Sequence, residues 1–274
     1  MSTRIIHEKQ DMRYLSWSLI RSSSGTAGSF LKATDDLKKP KVYYKLSNYD
    51  SVYGITGHEC VNELIVDRLL NILGMEHLHY DLIRAEIDIS GKFYDTYLCA
   101  SEDFKARGEH KIALDVYYEA ERHEGESPLD FCIRNGWGEQ IYNMMVLDFL
   151  ILNRDRHGAN IEVLRNKENH TIRLAPIFDN GLSLLFNCRT EAEVNDFDVM
   201  EDKAVQCFVG SRSVKHNLEL IPKQHLPKLP EFNDLYLNVI TDGLNGVLHD
   251  CLTAKICGMI KQRWMYYEDF CNKG

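Results

Sequence analysis

Residues 147–184, LDFLILNRDRHGANIEVLRNKENHTIRLAPIFDNGLSL, restrict the fold more than any other part of the chain. An apolar helical run ends in a short polar loop in which Asp155 and Asn160 stand five positions apart. Two strand-like segments follow, 161–164 and 172–178, with a turn at 166–169. The second strand is apolar (LAPIF) up to Asp179, which opens the tripeptide Asp179-Asn180-Gly181. Alone, an Asp-x4-Asn pair is commonly just a capped loop. The hairpin changes that reading, because it brings Asp179 back toward Asn160 beside a buried-looking helix. Polar groups converging at a strand end are the usual mark of a site. Phosphoryl transfer from a nucleotide needs one carboxylate to accept or orient the acceptor hydroxyl. It also needs an amide and a carboxylate to hold Mg²⁺ against the phosphates. Asp155, Asn160 and Asp179 are that set.

The preceding residues read as a strand-rich unit. Residues 1–10 are polar and read as a frayed end. Strands are predicted at 14–21 (YLSWSLIR), 28–33 (GSFLKA) and 42–46 (VYYKL), the last two separated by the charged turn DDLKKP. A helix over 57–73 carries an apolar stripe of Val61, Leu64, Ile65, Leu69, Ile72 and Leu73, with Gly74 at its C-terminal cap. Strands at 80–89 and 92–99 are joined by Ser90-Gly91. Beyond residue 100 the pattern becomes helical. Ser127-Pro128 starts one helix, Gly136 breaks it, and an apolar helix over 138–152 feeds the Asp155 loop. Residues 187–203 read as acidic and irregular, and 231–271 as mostly helical with a break near Gly243 and Gly246. Strands first and helices later predict an α+β protein of two lobes, a strand-rich 1–100 and a mainly helical 101–274.

A second set of candidates lies in the first lobe. Lys45 sits inside the strand 42–46, where a lysine can simply face solvent. A phosphoryl-transfer site requires a cation on the α/β-phosphates, steadied by a carboxylate on the neighbouring helix. Glu63 fits that place, with Glu59 one turn earlier. The loop 22–29 carries two glycines and several small hydroxyl residues, Ser24 and Gly25 among them, and suits either a hairpin turn or a phosphate cradle. It matches neither GxxxxGK[ST] nor GxGxxG. Arg154 and His157 flank Asp155, with His157 a structural hydrogen-bonder or a second catalytic group.

A net charge of −9, from 32 Lys and Arg against 41 Asp and Glu, argues against direct binding to nucleic acid or an anionic membrane. No apolar stretch reaches the ~20 residues of a membrane helix. The 8 cysteines include no CxxC pair and no zinc spacing, which points to reduced thiols in a cytoplasm.

With NRDRHGAN (153–160), LAPIFDNGLSL (174–184), HECVNELIVDRLLNILGM (58–75) and SSSG (22–25) in view, the chain resembles the HipA-like serine/threonine kinases. That resemblance implies a bilobal protein-kinase-like fold using ATP and Mg²⁺. It implies Asp155 as catalytic base, Asn160 and Asp179 as Mg²⁺ ligands, and Lys45 on the ATP phosphates held by Glu63. It further implies a hinge at 99–102, with Ala100 and Glu102 beside the adenine, and autophosphorylation at Ser22 or Ser24. A protein substrate and an antitoxin-like partner would follow. The chain departs from the family after Gly25, where TAGS replaces the usual Gln-Pro-Lys pattern. A phosphatidylinositol or small-molecule kinase, and a pseudokinase-like binding module, are the alternatives.

Overall fold

The structure is a computed structural model that describes residues 4–18 and 30–273. The first lobe contains β1 (Ile5–Asp11), β2 (Lys32–Asp35), β3 (Val42–Leu46), the short strands β4 (Tyr49–Asp50) and β5 (Gly54–Ile55), helix α1 (Glu59–Leu73), β6 (Asp81–Ile89) and β7 (Lys92–Glu102). Five of these strands form one sheet in the order β1-β6-β7-β3-β2, antiparallel except for the β1–β6 pair. Its outer face carries a small core of Trp17, Leu31, Tyr44, Leu46, Ile83, Ile87 and Leu98. Its inner face packs on α1 and joins the main core of the second lobe.

The second lobe follows as β8 (Glu109–Ala113), α2 (Leu114–Glu121), α3 (Pro128–Arg134), α4 (Gly138–Ile151), β9 (Asp155–Arg156), β10 (Glu162–Asn166) and β11 (Thr171–Leu174). It ends with α5 (Glu191–Asp196), β12 (Gln206–Cys207), α6 (Val214–Glu219), α7 (Leu235–Thr241) and α8 (Asp250–Asn272). A three-stranded sheet β11-β10-β8 lies beside the site, and β9 pairs with β12 in parallel. No described helix is long and apolar enough to cross a membrane.

Helix α4 is buried on nearly every side, from Met144 to Ile151 without a break. It ends at Leu152, whose φ of 50° turns the chain abruptly into the Asp155 loop. Arg263 of α8, fully buried, donates to the Phe149 carbonyl at 2.8 Å and so satisfies an end of α4 that would otherwise be orphaned. Ser127 caps α3 by accepting the Asp130 N–H, with Pro128 next, as the sequence predicts.

Several expectations shift. The residues read as a frayed end form β1, an edge strand whose mostly exposed side chains give no burial pattern to read. The strand expected at 14–21 is not formed over its described part. There Leu15 and Trp17, with Met12 before them, lie across the outer face of the sheet as a cover. The strand expected at 28–33 is found at Lys32–Asp35 among the described residues, with Ala33 and Asp35 as its buried alternate positions. Strand β7 runs past residue 100 to Glu102. The second hairpin strand stops at Leu174, and Ile177 then bridges to His77 of the first lobe. The acidic stretch contains α5, held by a reciprocal Thr190–Glu193 capping box. The C-terminal helical part breaks at Gly243 and Gly246, both at positive φ.

Candidate active site

Helix α1 explains how the two lobes share a site. The sequence shows an apolar stripe, and the opposite face of such a helix ordinarily meets water. Here every residue from Glu59 to Leu70 is buried, and each polar one has a specific partner. Glu59 accepts the Asn48 N–H at 3.1 Å. Asn62 donates to the Gly181 and Ser183 carbonyls at 3.1 and 3.0 Å. Glu63 accepts from Lys45 Nζ at 2.9 Å through one oxygen and from the Asn180 N–H at 2.9 Å through the other. The polar face of α1 is therefore a docking surface for the Asp179-Asn180-Gly181 turn. Gly181 is needed there, because an added Cβ would press on Glu59 and Glu63 at 3.2–3.3 Å.

Lys45 is placed by the sheet. It pairs with Cys99 across β3 and β7, so its side chain leaves the inner face toward α1. Its ammonium group bonds Glu63 Oε1 and also Asp179 Oδ1, and lies over the Phe30 ring. Burial alone would lower the Lys45 pKa, but the Asp179 and Glu63 carboxylates outweigh it and hold the pKa well above its ordinary value. Burial would likewise raise Asp179, yet Lys45 and Lys32 keep it ionised far below the usual carboxylate range. Asp179 sits at φ 56°, and its N–H points to the Tyr80 hydroxyl at 3.3 Å.

Asp155 enters from the other lobe. Its backbone is fixed by pairing with Gln206 across β9 and β12, and by a bond from its N–H to Asn153 Oδ1 at 3.2 Å. Asn160 donates its amide to the Asp155 carbonyl at 2.8 Å, which closes the loop and leaves Oδ1 as its acceptor end. Half-burial raises the Asp155 pKa, the nearby Asp179 charge adds to the rise, and His157 opposes it. His157 accepts the Ala159 N–H on Nδ1 at 3.2 Å, while its Nε2 is 3.7 Å from Asp155 Oδ2. Its visible work is to cap the turn Gly158–Asn160.

Beneath these groups runs a cleft of about 160 Å³, lined by Lys45 and Asp179 at one end and by Ser101, Glu102, Phe104 and Phe178 at the other. The Phe104 and Phe178 rings lie 5.6 Å apart and form an apolar wall. Glu102 lines the cleft, whereas Ala100 belongs to the outer core and does not line it.

No protein-family model matches the sequence, and neither does any curated protein. Among solved structures, the Helicobacter pylori proinflammatory kinase CtkA matches with a TM-score of 0.60 at 15% identity, over 93% of this chain and 94% of that one. The fold is kinase-like and bilobal. The HipA chain of a Shewanella oneidensis MR-1 complex with HipB and operator DNA also matches, with a TM-score of 0.42 at 16% identity, over 93% of this chain and 61% of that one. At the level of the fold, the CtkA match supports the bilobal, kinase-like architecture expected from the sequence.

Within this kinase-like fold, Lys45 and Asp179 line the cleft and Glu63 holds Lys45 from behind. Asp155 lies near enough for the Asp179 and Lys45 charges to act on its carboxyl, with Asn160 closing its loop, but neither of those two lines the cleft. Ser22, Ser24 and Gly25 lie outside the described residues. Several residues that hold the site were missed. Arg156, 1% exposed, bonds Asp148, the Asn180 side chain at 2.6 Å and the Phe178 carbonyl at 2.8 Å, and so ties the Asp155 loop to the Asp179 turn. Asp148 looks in sequence like a stray charge in an apolar helix, and a charge there is almost never buried unless it is paired. That was the available signal. Lys111 and Glu162 were missed because they come from β8 and β10, whose pairing no local pattern announces.

Proposed function

We propose that the protein is an ATP- and Mg²⁺-dependent phosphotransferase of the HipA-like kind, acting on a serine or threonine of a protein. The observation that supports this most strongly is the bridge of Lys45 between Glu63 and Asp179 at the wall of the cleft. In this reading Lys45 neutralises nucleotide phosphates, and Glu63 keeps its ammonium group aimed into the cleft. The Phe104–Phe178 wall and the backbone of residues 101–102 receive the base.

The residues fit a hard cation. Asp179 offers a carboxylate kept ionised by its surroundings, and Asn160 offers an amide oxygen turned away from the loop it closes. Oxygen donors from one or two protein side chains, completed by phosphates, suit Mg²⁺. When bound, the ion supplies charge neutralisation on the phosphates. Asp155 orients the acceptor hydroxyl and takes its proton. Its raised pKa makes it a better base than an exposed aspartate. Glu162 adds an acceptor to the cleft: among the described residues its buried Oε2 has no hydrogen-bond partner. A donor on the nucleotide would satisfy it.

Incubation with γ-labelled ATP and Mg²⁺ should label the protein itself or a protein acceptor, and Asp155→Ala and Asp179→Asn should each abolish the label. Wild-type turnover in both variants would refute the assignment. Thermal stabilisation by ATP should require Mg²⁺, since stabilisation tracks affinity for the folded state. A shift that ignores the metal would favour a binding module on the same fold.

A further inference from the structure

Behind the cleft, beyond Tyr80, α1 and the segment after it bring together three side chains that phosphoryl transfer does not use. His77 Nε2 lies 3.1 Å and His79 Nδ1 3.4 Å from Asp67 Oδ1. The two imidazoles meet edge to face with centroids 4.6 Å apart. The Asp67 side chain is fully buried, that of His77 nearly so, and that of His79 is 47% exposed.

Outer contacts fix the orientation of this group. Asp67 Oδ2 accepts the Tyr80 N–H at 2.6 Å, and Oδ1 accepts the Asn71 amide at 2.8 Å. His77 Nδ1 is 2.6 Å from the Met75 carbonyl oxygen. A carbonyl oxygen can only accept, so Nδ1 carries a proton and donates it. In the neutral ring, Nε2 is then a bare lone pair facing a buried carboxylate oxygen. Two acceptors placed so repel each other unless a proton or a cation lies between them. An imidazole held through Nδ1–H by a backbone carbonyl, with Nε2 forward, is how metal-ligating histidines are oriented.

We propose that Asp67 Oδ1, His77 Nε2 and His79 Nδ1 form a binding site for a divalent transition metal of the Zn²⁺ class. The exposed side of His79 leaves the fourth position to water. Metal–ligand bonds of ~2.0–2.1 Å in a tetrahedron place neighbouring ligand atoms about 3.3 Å apart, close to the 3.1 and 3.4 Å seen here. Two imidazoles and one carboxylate favour Zn²⁺ over Mg²⁺, which prefers oxygen. A second cluster, Glu191, His249 and Cys251, lacks this geometry. His249 turns Nδ1 to Cys251 and Nε2 to Glu191, so opposite ring edges face its two partners.

The decisive experiment is titration of the full, metal-stripped chain with Zn²⁺ by calorimetry at neutral pH, and with Co²⁺ by visible absorption. One tight site per chain and the bands of tetrahedral nitrogen–oxygen coordination are expected. His79→Ala, at a half-exposed position, should keep the fold by circular dichroism yet weaken binding by more than the ~10–100-fold that losing an outer-shell partner costs. His77→Gln should do the same, while Asp179→Asn and His249→Ala should leave the stoichiometry unchanged. The proposal is overturned if the wild type takes up no tight Zn²⁺, which would assign the gap to a proton. It is equally overturned if His79→Ala binds like the wild type, or if either control removes the site. None of these readings depends on phosphotransferase activity.

Discussion

Replacing Lys45 by methionine tests the centre of the argument without any substrate. The side chain keeps its length and loses its charge, leaving Glu63 at 0% exposure and Asp179 at 23% as two carboxylates with no cation between them. At an effective dielectric near 20, a pair separated by 2.9 Å carries about 6 kcal/mol of gross attraction. Much of that offsets the desolvation of both groups. Removing one partner of a buried pair nevertheless costs about 3–5 kcal/mol, because the other charge is left uncompensated. Asp179 borders the cleft and gains some water, so the lower end applies. About 3 kcal/mol in a chain of this size lowers the melting temperature by roughly 6–12 °C. Lys45→Met/Glu63→Gln should recover at least about 1 kcal/mol of that loss, since coupled neighbours are not additive.

The loss should also depend on pH. The Asp179 pKa in the folded protein is depressed below its ordinary 3.8, so its contribution to stability is present above that value and is lost as pH falls through the folded value. The gap between wild type and Lys45→Met should therefore narrow as pH falls below 3.8. Thermal melts followed by near-ultraviolet circular dichroism at pH 7 and at values stepped down below 3.8 provide the readout. A Lys45→Met melt within about 2 °C of wild type at pH 7, or a gap that widens in acid, would show that the ion pair is not closed in solution.

Three further outcomes are expected. The Asp155 carboxyl is raised above 3.8 chiefly by burial, so the acid limb of kcat/KM for labelling should fall at a pH above that value; a profile flat down to 3.8 would count against Asp155 as the base. Gly158→Ala would place a Cβ 2.4 Å from Asp115 Cβ and 2.9 Å from its backbone nitrogen; the displaced loop should lower turnover by about 100-fold with ATP binding by thermal shift retained, and unchanged turnover would show that the loop position does not matter. Arg156→Met leaves Asp148 buried and unpaired and should cost about 3–5 kcal/mol in denaturant unfolding, partly restored in Arg156→Met/Asp148→Leu; an equal or larger loss in the double variant would contradict the pairing.

The sequence made some of this legible and hid the rest for physical reasons. The helices over residues 57–73 and 138–152 and the strands on either side of Ser90-Gly91 could be read because burial imposes a period on them. The hairpin between the Asp155 loop and the Asp179 turn could be read because its two strands are close neighbours in sequence. Strand β1 could not, since a parallel edge strand facing water on most positions carries no alternation. Arg156, Asp148 and Arg263 could not, because a buried charge is explained only by its partner, and the partners of Arg263 come from 62 to 114 positions away. Glu63 was legible as a partner for Lys45, whereas the burial of Asn62, Asp67 and Arg68 on the same helix was not.

That burial has a consequence for control. In kinase folds the position of this helix is a common place to regulate activity. Here Arg68 donates from α1 to the Ile240 and Asp242 carbonyls at 3.2 and 2.6 Å, while Asn62 grips the turn after Asp179 at the other end. Charged-group hydrogen bonds are worth roughly 1.5–3 kcal/mol each. An effector that swung α1 outward would have to break several at once, against the ~5.5 kcal/mol that fully inverting a two-state equilibrium already demands. The ion pair is thus a permanent fixture and not a latch. On the proposed reading, an effector that leaves α1 seated would have to act on the cleft itself.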